Sequence, residues 1–118
     1  MESIEGKSGD FVSEALGPPG LFGVFEDDGE TGYLYLYEPD GREVFGHLHV
    51  YDRSPSLKVE AQDVRVLWSE GYKKVGVLIW GKMRGIIDLG TGQEGRVWLE
   101  RRNSPGIADT QWLEGFHL

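Results

Sequence analysis

Hydrophobic residues in this chain recur mostly at every second position, in short runs. Residues 33–37 read Tyr-Leu-Tyr-Leu-Tyr, and residues 44–51 read Val-Phe-Gly-His-Leu-His-Val-Tyr. A period of two marks a strand, because successive side chains point to opposite faces. Pro39-Asp40-Gly41 stands between the two runs. Pro sets φ at the first turn position, Asp tolerates the second, and Gly accepts a positive φ at the third. A three-residue loop of this kind pairs Glu38 with Arg42, Leu36 with Val44, Tyr35 with Phe45, Leu34 with Gly46 and Tyr33 with His47. One face of the predicted hairpin is then aliphatic (Leu34, Leu36, Val44, Leu48, Val50) and turns to the core. The other carries Tyr33, Tyr35, Tyr37, Phe45, His47, His49 and Tyr51, and what it meets is the functional question.

The same alternation, or a continuous apolar run, predicts strands over 21–26, 57–61, 64–68, 73–80, 83–89 and 96–100, and a short final strand within 111–118. Gly, Pro, Asp and Ser clusters separate them, including Asp27-Asp28-Gly29, where Asp is favoured by turn chemistry. Short strands with turn signals at this spacing predict a mainly β fold. The expected form is one antiparallel meander of about eight short strands, closed into a sandwich or a small barrel. Residues 1–20 read differently. The first ten are polar and loose, and Phe11 to Leu16 are expected to form helical turns with Ser8 or Asp10 as N-cap. Gly17-Pro18-Pro19-Gly20 ends them. The expected organisation is a lead-in over 1–20 and one domain over 21–118. At least two of Trp68, Trp80, Trp98 and Trp112 are expected in the core, since large aromatics bury much area.

Composition narrows the function classes. At 118 residues the chain is long enough for one core without covalent staples. It has no Cys, which removes disulfides, thiolate metal sites and Cys nucleophiles and fits a reducing compartment. The net charge is −8, from 20 acidic and 12 basic residues. That opposes a nucleic-acid partner, whose phosphates need a basic face, and opposes anionic membrane surfaces. No signal-peptide core or membrane-length apolar run occurs, so a cytoplasmic location is expected.

Candidate chemistry is sparse. Arg84 to Gly95, with Asp-Leu-Gly-Thr-Gly, resembles the first glycine motif of Rossmann-like methyltransferases. That family needs a strand–helix–strand unit, which the following residues do not supply, so a Gly-rich hairpin loop is the expected structure. His47 and His49 sit two apart on one strand face, where neutral imidazoles can share a metal. Gly41, His47 and His49 resemble the opening of the cupin metal motif, but Arg53 and Ser54 stand near the position of the cupin Glu. A Gly-x-Ser-x-Gly elbow is absent, and Arg101-Arg102 is most simply a solvated strand end. Trp68-Ser69-Glu70-Gly71 resembles the Trp-Ser-x-Asp-Gly repeat of bacterial propellers, though the chain is too short for several blades. The same stretch, Trp-Ser-Glu followed by an apolar run into Asp88-Leu89, resembles a small bacterial family of uncharacterised domains. That resemblance implies no established activity.

The expected function is therefore a non-catalytic interaction module, with no cofactor and no resident metal. Its binding residues are Tyr33, Tyr35, Tyr37, His47, His49 and Tyr51, and its partner is another protein or a second copy. The alternative is a small-molecule or metal-binding barrel that uses His47 and His49.

Overall fold

The computed structural model describes residues 11–90, 94–96, 99 and 105–118. Eight strands form two four-stranded antiparallel sheets, each a simple meander. The first sheet contains β1 (Phe11–Leu16), β2 (Phe22–Asp27), β3 (Thr31–Glu38) and β4 (Glu43–Asp52). The second contains β5 (Val64–Trp68), β6 (Lys74–Ile79), β7 (Lys82–Asp88) and β8 (Glu94–Arg96). Alternation aims one side of each sheet at the other. Phe25, Leu34, Leu36, Leu48 and Val50 from the first meet Val66, Val75, Val77, Ile79 and Ile87 from the second. The sandwich form is the one adopted. Each fully buried Val, Leu, Ile or Phe contributes roughly 1.5–3 kcal/mol by leaving water. Trp68 and Trp80 pack against this cluster, and Trp112 against a second one. Trp98 lies outside the described residues, as do Arg101 and Arg102 and part of the strand expected over 96–100.

Three expected elements differ. Phe11–Leu16 is a strand rather than helical turns. Its inward positions are Phe11, Ser13 and Ala15, small enough after Phe11 that the alternation shows in burial but hardly in hydrophobicity. Residues 57–61 make no strand. A single bridge joins Ser54 to Leu57, and a short 3-10 turn covers Ala61–Asp63. Leu57 and Val59 still bury fully, so the alternation there reports burial without sheet pairing. Instead of a final strand, Thr110–Leu113 is a one-turn helix (α1), with the Asp109 carboxylate accepting from the Gln111 and Trp112 amides as N-cap.

The C-terminal segment runs across the outer side of the second sheet. Ile107, Trp112, Leu113 and Phe116 pack on Leu67, Leu78, Met83 and Ile86 and build a second cluster. Lys74 holds the segment in place. Its ammonium donates to the carbonyls of Gln111 (2.8 Å), Trp112 (3.1 Å) and Glu114 (3.0 Å), which the end of a short helix leaves without helical partners. Among the described residues, no helix is long and apolar enough to cross a membrane.

Candidate functional site: the outer face of the first sheet

The β3–β4 hairpin sets the site, and its register is more complex than a plain ladder. The loop has four residues, with Arg42 and not Gly41 in the left-handed region (φ 53°). Glu38 therefore pairs with Glu43, Tyr37 with Val44 and Leu36 with Phe45. The expected pairing is off by one here, and one residue exchanges the two faces. Val44 consequently points outward and Phe45 shares the inner side with Leu36, which reverses both assignments. β4 then gains one residue at Gly46, whose φ of 67° suits a glycine bulge. Leu34 now meets Leu48 and Tyr33 meets His49, so His47, Leu48, His49 and Val50 face as expected.

A second extra residue in β4 follows at Val50, and it turns Tyr51 inward opposite Gly32. Tyr51 is fully buried and no part of an open face, which corrects its expected role. Its ring lies 5.8 Å from that of Phe25, in space that a Cβ on Gly32 would fill. The phenol donates to Asp27 Oδ2 at 2.5 Å, and Arg53 Nη1 donates to the same oxygen at 2.9 Å. Asp27 Oδ1 accepts the Gly29 amide, and Arg53 also reaches the Val59 carbonyl. Burial first, and then the Asp27 carboxylate, raise the Tyr51 pKa well above the ordinary tyrosine value. This network ties the β2–β3 turn and the segment after β4 to the sheet end with its groups paired, so it is structural. Asp27 at an inward strand position was the sequence signal for it.

The open side of the sheet carries three cross-strand rows. Leu16, Phe22, Tyr37 and Val44 form the first; Glu14, Val24 and Tyr35 the second, with His47 beside Tyr35; Val12, Glu26, Tyr33 and His49 the third. Of the expected residues, Tyr33, Tyr35, Tyr37, His47 and His49 come together here. Val12 and Leu16 join them unforeseen because β1 was read as helical, and Phe22 because no side was assigned to the strand expected over 21–26. None of these side chains belongs to either hydrophobic cluster, although Val24 is buried at 4% exposure and the three tyrosines are half-buried. Leu16 is 63% exposed, Val12 56% and Val44 54%, large values for aliphatic residues on a sheet.

Its polar tips are organised. His47 stacks on Tyr33 with ring centroids 4.6 Å apart and planes 9° from parallel, and Tyr35 stands 5.7 Å away on its other side. Tyr33 also meets His49 at 5.6 Å. The Tyr35 hydroxyl donates to Glu26 Oε1 at 3.0 Å, and burial together with that carboxylate pushes the Tyr35 pKa up to about 12. His49 Nε2 lies 2.9 Å from Asp52 Oδ1 and 3.2 Å from the Tyr51 carbonyl. Among the described residues, no three His, Asp or Glu converge to hold a metal ion. The two histidines are engaged by aromatic rings and by Asp52 rather than pointed at a common centre.

A family described as uncharacterised protein conserved in bacteria, DUF2251, matches residues 10–115. The chain belongs to DUF2251. The matched region takes in both sheets, the roofing segment up to Gly115 and the outer aromatic face of the first sheet in this DUF2251 domain. An uncharacterised protein of Haemophilus influenzae is 35% identical over 69 residues, which is 56% of this chain and 43% of that relative. The chain thus spans less than half the length of the curated relative it matches. No solved structure matches the DUF2251 chain.

Proposed function

We propose that this DUF2251 domain is a non-catalytic interaction module whose binding surface is the outer face of β1–β4. The observation that carries this reading is a four-stranded apolar and aromatic face with no covering layer among the described residues. Tyrosine suits such a surface, since a rigid ring gives contact area and its hydroxyl keeps a place in water. The partner is a protein. Among the described residues the face holds no Lys or Arg, which disfavours nucleic-acid phosphates and anionic lipids as its partner.

The test is Tyr37→Asp. Tyr37 lies in the most apolar row, opposite Phe22 and Val44. The variant is expected to keep its thermal midpoint within about 3 °C, as a surface change of under ~0.5 kcal/mol should, while losing association with protein. A variant that binds every wild-type partner with unchanged affinity sinks the reading.

A further inference from the structure

We infer that the occupant of this face is a second copy of the chain, docked about a two-fold axis parallel to the strands. The inference rests on the interaction-module reading and adds the identity of the partner. An isologous interface needs a surface complementary to itself. A two-fold axis lying in the interface along the strands, between β2 and β3, sets β1 over β4 of the second copy and β2 over its β3. Each cross-strand row then meets its own copy. Leu16 falls on the second copy's Val44 and Phe22 on its Tyr37, joining two apolar rows. In the middle row, Glu14 falls on the second copy's His47 and Val24 on its Tyr35. In the third row, Val12 falls on His49 and Glu26 on Tyr33.

Polar chemistry selects this arrangement. Carboxylates occupy the β1–β2 half of the face, at Glu14 and Glu26, and imidazoles the β4 half, at His47 and His49. The axis along the strands brings an acceptor of one copy to an N–H donor of the other, twice by symmetry. The other in-plane axis, across the strands, sets Glu14 on Glu14 and so opposes like charges, where the axis along the strands sets Glu14 on His47. Glu26 is already met within its own copy by the Tyr35 hydroxyl, so Glu14 is the carboxylate that the second copy's imidazole serves. A four-stranded face is small for an interface, so association in roughly the micromolar range is expected.

Sedimentation equilibrium of the purified full chain, from about 5 to 500 μM, tests this. The wild type is expected to follow a monomer–dimer equilibrium. Glu14→Lys and His47→Glu are each expected to weaken it by about tenfold or more, and the double variant to recover most of the loss. Circular dichroism confirms that each variant folds. Both side chains are solvent-facing, so their replacement leaves the core intact. A wild type that is monomeric at every concentration overturns the second copy, as does a dimer indifferent to both substitutions, or a double variant no tighter than the singles. If the wild type is monomeric but its capture of another protein is abolished by Tyr37→Asp, the self-docking falls and the interaction module stands. If neither binding is seen, both fall.

Discussion

The outer faces of the two sheets make an instructive pair. On the second sheet, Leu67, Leu78, Met83 and Ile86 are aliphatic or thioether side chains, and the chain's own C-terminal segment roofs them. On the first, Tyr33, Tyr35, Tyr37, Phe22 and two histidines share the face with Leu16, Val12 and Val44, and no described residue lies over them. The roofed face is apolar apart from groups the roof itself engages, such as the Lys74 ammonium. The bare one has hydroxyls, imidazoles and two carboxylates at its tips, so it tolerates solvent while keeping the area that makes contact favourable. The outer side of one sheet is finished by intramolecular packing, and that of the other has no such roof among the described residues.

The sharpest way to break the contrast is to place a charge on each side. Ile86→Asp buries a carboxylate under the C-terminal roof and is expected to unfold the domain, seen as lost near-ultraviolet dichroism. Tyr35→Asp on the open side should leave that spectrum's melting cooperative. If both variants unfold, the first sheet has a cover as essential as the second's. Truncation gives the next effect. Trp112→Ala is expected to cost about 2–3 kcal/mol in urea unfolding, below the full-burial range because the ring is half-buried, whereas Tyr37→Ala should cost under about 1 kcal/mol. Comparable losses would erase the distinction.

Lys74→Met tests the roof's fastening. Its loss removes three charge-assisted hydrogen bonds from one group, for roughly 1–2 kcal/mol, and should speed hydrogen exchange at the Leu113 and Phe116 amides before β6 or β7 responds. Equal exchange throughout would mean that roof and sheet open together. The smallest effect is at high pH. Tyr35 and Tyr51 have folded-state pKa values raised above the ordinary value of about 10, so in alkali the folded chain holds protons that the unfolded chain releases. Stability is intact below about pH 10 and falls as pH rises toward 12 and beyond. Ultraviolet titration should show Tyr35 ionising near 12, and Glu26→Gln should bring it down.

Most strands were legible because alternation reports burial directly, and the mainly β antiparallel class followed from their number and turns, while the choice between sandwich and barrel did not. Register was less so. Tip pairing depends on whether Arg42 belongs to the loop, and a backbone with φ of 53° at Arg has no local sequence signal. The one-residue error there exchanged Val44 with Phe45, and the bulge at Gly46 then restored His47 through Val50. The second extra residue reversed Tyr51 alone. Tyr33, Tyr35, Tyr37, His47 and His49 were therefore assigned to the outer side as the register has them, while Tyr51 was put on the wrong side and Val12, Leu16 and Phe22 were assigned to neither. For the C-terminal segment, Asp109 before Thr-Gln-Trp-Leu was a readable cap. The apolar spacing of Trp112, Leu113 and Phe116 was instead read as a strand.

The two bulges in β4 give that strand something like a reading frame. Gaining or losing one residue within an unbroken ladder exchanges inside and outside, putting both histidines in the core and Leu48 in water. At Gly46 the strand already carries one residue more than its neighbour, so a deletion there returns the ladder to phase with every flanking side chain still on its own side. Length differences between this β4 and that of its relatives should collect at Gly46 and in the loop at 39–42, and be purged elsewhere along the strand.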